Sequence, residues 1–226
     1  MIAQHPRFDA VCFDCDSTLT RIEGIDELAR RVGREAEIAS LTDAAMNGTI
    51  PLEAVYAKRL ELVRPNRAAL AWLAERYIKE MVGGAPETIE TLLRHGKAVY
   101  VVTSGLLQAV AEFARDLGLA PEHVRAVAVH LDASGTYQGF ELNSPLCRSD
   151  GKAIVCRGIA ARHGNVAMVG DGATDLAARG GGAYVVGYGG VIRREAMLQE
   201  ADRYISAPLL TATLATLLTE EEQGRS

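Results

Sequence analysis

Two aspartates stand one residue apart in the stretch FDCDSTLT, Phe13 to Thr20. In an extended chain, residues i and i+2 point to the same side. Asp14 and Asp16 are therefore brought close, and two such carboxylates repel unless a cation or a shared proton intervenes. Three further short stretches have the same character. VVTSG offers the hydroxyls of Thr103 and Ser104, SDGKAI offers Lys152, and VGDGATD offers Asp171 and Asp175. Four carboxylates in one crevice call for a cation. With only oxygen ligands and no Cys or His in reach, the set suits hard Mg²⁺ rather than zinc. The chain has four lysines. Lys58 and Lys79 fall in a helical segment and Lys97 precedes a strand at the opposite edge, which leaves Lys152 as the cationic partner. A cation, a lysine, a threonine hydroxyl and the backbone N–H groups of glycine-rich turns make an anion site, and a phosphoryl group fits it. Singly, each stretch is as well explained by a solvated turn. The set gains its meaning from order and placement.

That placement requires particular elements. DAVC (Asp9–Cys12) reads as a buried strand that delivers Asp14. AVYVVT (Ala98–Thr103) is a nearly continuous apolar run, as in a central parallel strand. A helix over about 106–117 follows, closed by Gly118. VRAVAVHL reads as the next strand, and DASGTYQGFEL as a hairpin turning at Ala133-Ser134-Gly135. A helix over about 151–163, the strand VAMVGD, a short helix and the strand AYVVGY complete the series. Alternating strands and helices predict a doubly wound α/β fold with a parallel sheet. The acidic and hydroxyl-bearing stretches then converge at the C-terminal edge of that sheet, where open α/β sheets bind ligands. The segment 17–82 differs. It carries four helical patterns, GIDELARRVG, EAEIASLTDAAMNG, PLEAVYAKRLELV and RAALAWLAERYIKEM, and no strand signal. The expected organisation is an α/β core of residues 1–16 and 83–226, with residues 17–82 as a helical insertion over the ligand-binding edge.

The composition is that of a soluble globular protein. Of 226 residues, 48% are hydrophobic and 23% charged, and the formal net charge is −5. That charge disfavours nonspecific binding to nucleic acid or anionic membranes. MIAQHPRF has no apolar leader core, and no apolar run reaches membrane-spanning length, so a cytoplasmic location is expected. Cys12 and Cys15 form a CxxC, but an offset of three puts them on opposite faces of a strand. They read as small buried fillers, and the five histidines show no ligand spacing. GYGG (Gly187–Gly190) lacks the downstream glycine of a dinucleotide fingerprint. That turn and the hairpin near Tyr137 are expected to border the mouth of the site.

FDCDST, VVTSG, GK and GDGATD, in this order, resemble the four motifs of the haloacid dehalogenase superfamily, and the helical insertion resembles its small cap. STLTRIEGIDELA, AKRLELV, GDGATD and VGYGGVIRREA are similar to the phosphoserine phosphatases of that superfamily. The resemblance spans about Phe8 to Ile205. It implies a Rossmann-type core and a Mg²⁺-dependent phosphomonoester hydrolase with an aspartyl-phosphate intermediate. Asp14 would be the nucleophile and Asp16 the general acid and then base. The side chains of Asp14 and Asp171 and the carbonyl of Asp16 would ligate the metal, with Asp175 in support. Thr103 and Lys152 would hold the phosphoryl oxygens, and Ser104, Gly105 and Thr174 would border the substrate.

Specificity is expected from the insertion. Leu52, Val55, Tyr56, Leu60 and Val63 form one helical stripe, and Arg59 falls within it. A guanidinium on a buried stripe needs an anionic partner, internal or on a substrate, unless the side chain snorkels to a solvated rim. The resemblance assigns Arg59 to a substrate carboxylate and Glu23 to an ammonium, which together read L-phosphoserine. Ser104 and Leu106 depart from the glycine and bulky aromatic usual in those phosphatases. Another small phosphomonoester is therefore the alternative substrate. A receiver-like protein or an inactive phosphate binder is the alternative of a different class.

Overall fold

The computed structural model describes residues 7–224. Six residues of the stretch read for a leader, 1–6, lie outside it. Among the described residues, six strands form one parallel sheet: β1 (Ala10–Phe13), β2 (Ala98–Leu106), β3 (Val124–Val127), β6 (Val166–Gly170), β7 (Tyr184–Tyr188) and β8 (Arg203–Ile205). Their order is β3-β2-β1-β6-β7-β8, so the winding reverses beside β1. β1 has the sequence AVCF and is wholly buried, as a central strand packed on both faces must be. A separate antiparallel ribbon pairs β4 (Val129–Leu131) with β5 (Tyr137–Phe140). The doubly wound α/β class is thus present.

Helices α1 (Gly24–Arg31), α2 (Glu35–Met46), α3 (Leu52–Val63) and α4 (Arg67–Lys79) make up the segment after β1. All four match helical patterns in the sequence. Their signals are local: Pro51 precedes α3, and the Asn66 side chain caps α4 by accepting from Ala69 N at 2.8 Å. The chain leaves and re-enters the sheet layer at one place. There Thr20 bridges Met81, Arg21 N donates to Glu80 O at 2.8 Å, and Val82 N donates to Leu19 O at 2.9 Å. After this crossing come α5 (Ala85–Arg94), α6 (Leu107–Asp116), α7 (Gly151–His163), α8 (Ala173–Leu176) and α9 (Glu195–Glu200). No helix of the described residues is long and apolar enough to cross a membrane.

Three readings need revision. VRAVAVHL is two strands in two sheets, broken at Ala128. The amide of Gln108 takes both backbone groups of Val129, donating to its carbonyl at 2.6 Å and accepting from its N–H at 3.1 Å. With those groups satisfied by a side chain, the run is free to leave the parallel sheet. Next, β2 runs on beyond Thr103 to Leu106 through a register shift after Val102, so Ser104 and Gly105 lie within the strand and the following helix begins at Leu107. Finally, α5 was not foreseen, although Gly84 in the left-handed region followed by Pro86 is a fair helix start. The four cysteines are buried and free.

Candidate active site

Strand register brings the acidic stretches together. Phe13 is level with Val101 on β2 and with Val169 on β6. The residues just beyond therefore rise side by side at the C-terminal edge: Asp14, Thr103 and Asp171. Lys152 enters from the first turn of α7, almost fully buried at 2% exposure. Its ammonium lies 2.7 Å from Asp14 Oδ2 and 2.6 Å from Asp175 Oδ1. Burial pulls the lysine pKa down, but the two carboxylates outweigh it and the net shift is upward. Two glycines are required here. A Cβ on Gly151 would sit 2.0 Å from Pro145 O, and one on Gly170 would sit 2.0 Å from Asp175 Cγ. The GDG turn therefore lets the Asp175 carboxylate lie against the end of β6, where it also accepts from Gly172 N at 3.0 Å.

Asp14, Asp171 and Asp175 each present a carboxylate oxygen, all within 4.8 Å of one another, and all three residues are buried. Burial, followed by the charge of Asp14, pushes Asp171 up to about 6. Burial is also the main cause at Asp175, which is pushed up to about 7 against the opposing pull of Lys152. Three buried carboxylates facing only two cations, Lys152 and Arg194, are short of positive charge. An oxygen-only donor set of this size fits a hard divalent cation. The Asp16 side chain stands apart from this trio and accepts from Gly24 N at 3.1 Å. Its carboxyl is pushed up to about 7, first by burial and second by the charge of Asp14. The sequence pointed to the anionic neighbourhood alone, so the ranking of causes is corrected. Ser17, next in the chain, is held at φ 53° in the left-handed region, which turns the backbone away from β1.

The helical segment supplies the other wall of the cavity, with Glu23, Ile25, Met46 and Arg59 facing Thr103, Ser104 and Thr174. Glu23 accepts from the Ser17 hydroxyl at 2.7 Å, and burial raises its pKa well above the usual carboxylate range. Arg59 is 5% exposed, has no carboxylate within ion-pair distance among the described residues, and makes one hydrogen bond, to Thr42. Its Nε is buried without a partner. Leaving such a donor unpaired costs on the order of 1–3 kcal/mol. Of the two partners open to Arg59 from the sequence, an internal carboxylate is therefore not the one used. Thr103 Oγ1 accepts from Gly105 N at 3.1 Å, and the Ser104 carbonyl accepts from Tyr56 OH at 2.8 Å. Gly105 and Leu106 line a small side cavity with Arg59 and Tyr77, one step from the main one.

All the residues singled out in the sequence are thus gathered around this edge. Two segments are not. The hairpin around Tyr137 does not line the cavity. It packs on the helical segment instead: Arg64 lies over the Tyr137 ring at 5.3 Å, Arg67 N donates to Gly135 O at 2.9 Å, and the Phe140 ring meets that of Tyr56 at 5.3 Å, tilted by 55°. The Gly189-Gly190 turn is also set back, because Gly189 N bonds to Ile205 O on β8. What reaches the site from that loop is Arg194, which the sequence reading did not single out. It is 6% exposed; its Nε donates to Asp171 Oδ2 at 2.9 Å and its Nη1 to Asn47 Oδ1 at 3.2 Å. It also lies 3.9 Å from Glu23. Nothing in the chain pattern separates it from the adjacent Arg193.

Comparison with known proteins agrees with this geometry. The family model for haloacid dehalogenase-like hydrolases matches residues 11–178. The chloroplastic phosphoserine phosphatase of Arabidopsis thaliana is 37% identical over 198 residues, covering 86% of this chain and 67% of the relative. The phosphoserine phosphatase of Bos taurus is 32% identical over 200 residues, covering 88% and 89%. Among solved structures, a phospho-aspartyl intermediate analogue of a phosphoserine phosphatase superposes with a TM-score of 0.79 at 28% identity, covering 94% of this chain and all of that one. A substrate-bound phosphoserine phosphatase complex superposes with a TM-score of 0.80 at 27% identity, with the same coverage.

Proposed function

The chain belongs to the haloacid dehalogenase-like hydrolases, and we propose that it is a Mg²⁺-dependent phosphomonoester hydrolase that releases serine from L-phosphoserine. The observation that carries this reading is the pair at the end of β1. Asp14 sits 2.7 Å from the Lys152 ammonium, and two residues on Asp16 has a carboxyl pushed up to about 7. This supports a reading in which one carboxylate attacks while its neighbour holds a proton near neutrality.

The steps follow from these side chains. A carboxylate oxygen of Asp14 attacks phosphorus, the ester P–O bond breaks, and an aspartyl-phosphate forms. The departing alkoxide takes the proton of Asp16. Asp16, now ionised, removes a proton from the water that attacks the acyl phosphate, which restores Asp14 and frees phosphate. Lys152 and the Thr103 hydroxyl hold the phosphoryl oxygens as their charge spreads. A divalent cation held by Asp14, Asp171 and the Asp16 carbonyl, with Asp175 beside it, would supply further charge neutralisation. Asp171 and Asp175 have no chemical step of their own. Residues 17–82 act as a cap whose Arg59 and Glu23 read the carboxylate and ammonium of the amino acid, with Ser104, Gly105 and Thr174 around it. This reading includes a cytoplasmic location and a place in serine biosynthesis; one relative is named as chloroplastic.

The test is phosphate release from a panel of small esters by purified protein, with and without a chelator. Phosphoserine should be the best substrate, chelation should stop turnover, and Mg²⁺ should restore it. Full activity without a divalent ion overturns the metal. A better ester lacking the amino-acid groups overturns the substrate.

A further inference from the structure

Arg59 is a long side chain in a buried place, with the Tyr56 ring 5.8 Å from its guanidinium and one hydrogen bond that fixes which edge is turned inward. Its Nη1 donates to Thr42 Oγ1 at 3.1 Å. Thr42 is 1% exposed, on α2. Its hydroxyl has one proton and two acceptors in reach, Asp26 Oδ1 at 2.7 Å and Ile38 O at 3.2 Å. The shorter, charge-assisted bond wins the proton. The hydroxyl therefore donates to Asp26, on α1, and keeps a lone pair for Arg59. Three helices of the insertion are linked in one line: Asp26, Thr42, Arg59. Only Nη1 is occupied by this line. Nε is buried with no partner, and Nη2 has no hydrogen bond to any described residue. Those two nitrogens form the side-on edge that a carboxylate takes with two parallel bonds. Arg59 lines the cavity, and within the protein its Nε–Nη2 edge makes no hydrogen bond to a described residue.

We infer that Thr42, oriented by Asp26, positions Arg59 so that its Nε–Nη2 edge meets the carboxylate of the substrate. Neither residue touches the reacting atoms. Both act on specificity through the arginine, and the inference rests on the amino-acid reading given above. Burial alone would push the guanidinium toward losing its charge, and Asp26 is among the carboxylates that oppose this.

The experiment compares kcat and KM for phosphoserine with those for phosphoethanolamine, which lacks the carboxylate. It uses the wild type, Thr42→Val, Thr42→Ser and Asp26→Asn. Thr42→Val keeps the shape and removes the hydroxyl. Its kcat/KM on phosphoserine should fall about tenfold, carried mainly by KM, and on phosphoethanolamine by less than about twofold. Thr42→Ser should recover most of the loss, and Asp26→Asn should show the same selective effect in weaker form. A purely structural role would lower both substrates together. Equal losses on both esters, no loss on either, or a serine variant no better than valine overturns the positioning role. If Thr42→Val does not fold, Asp26→Asn decides, and an unchanged substrate ratio there overturns it. A wild type without preference for the carboxylate ester overturns the amino-acid reading and this inference with it. A wild-type preference that Thr42→Val leaves intact overturns this inference alone.

Discussion

The two walls of the cavity are finished to different degrees. On the sheet edge, Lys152 is shared between Asp14 and Asp175 at 2.7 and 2.6 Å, and Arg194 holds Asp171 at 2.9 Å. Lys152, Arg194 and the three carboxylates each have a protein partner before a substrate arrives, although the negative charge still exceeds the positive. On the helical wall, Arg59 is just as buried but has one hydrogen bond, to the neutral Thr42, the Tyr56 ring 5.8 Å from its guanidinium, and an orphaned Nε. The difference matches the two tasks. Groups that act on the transition state work best when fixed in advance, since reorganisation then adds nothing to the barrier. Groups that read the substrate can hold open valences, because a wrong ligand then leaves a buried donor unpaired, at a cost that supplies discrimination. The phosphoryl half is preorganised, and the selective half is completed by its ligand.

The contrast is tested most severely at Asp14. Asp14→Asn keeps the shape and removes the attacking charge. Turnover should fall by at least about a thousandfold on every ester, measured as phosphate release beside a circular-dichroism check of folding. Appreciable residual activity would mean that the first step does not go through this carboxylate.

Asp16→Asn should cost about a hundred- to ten-thousandfold on poor leaving groups and much less on activated aryl phosphates. The sign of the pH effect also follows. The protonated form is the acid, so where bond cleavage limits, the rate should fall as pH rises through about 7, the value set by burial and Asp14. The substitution should flatten that limb. A series in which all leaving groups lose equally would remove Asp16 from the acid role.

Arg59→Ala addresses the other wall and should have a smaller effect than either aspartate substitution. Losing a charge-assisted contact of about 1.5–3 kcal/mol predicts roughly a ten- to hundredfold lower kcat/KM on phosphoserine. Hydrolysis of an aryl phosphate should be nearly unchanged. If the two substrates suffer alike, Arg59 belongs to the preorganised half and the comparison fails.

Much of this was legible in the chain. β1, β2 and β6 are apolar runs whose ends carry Asp14, Thr103 and Asp171, and a parallel sheet can place such ends only along one edge. The helices of 17–82 were legible for a similar reason, since each has a local helical pattern, and Pro51 and Asn66 mark the starts of two of them. The hairpin was legible as a turn but not as a neighbour. Asp132, Ser134 and Thr136 bond among themselves and fix its shape, yet nothing local says that it will prop Arg64 and Tyr56 rather than border the cavity.

The sequence by itself determined the elements, their order and the edge at which chemistry must occur, because helical period, strand hydrophobicity and turn residues act over a few neighbouring positions. Only the tertiary structure decided the partners. Arg194 finds Asn47 across a separation of 147 residues, and Lys97 closes on Glu222 across 125. Thr42 meets Asp26 and Arg59 from helices whose mutual angle no short pattern states. A side chain's choice among several acids or hydroxyls depends on differences of a few tenths of an ångström in how the layers pack. Packing is a property of the whole folded chain, whereas the pattern that builds each layer is local.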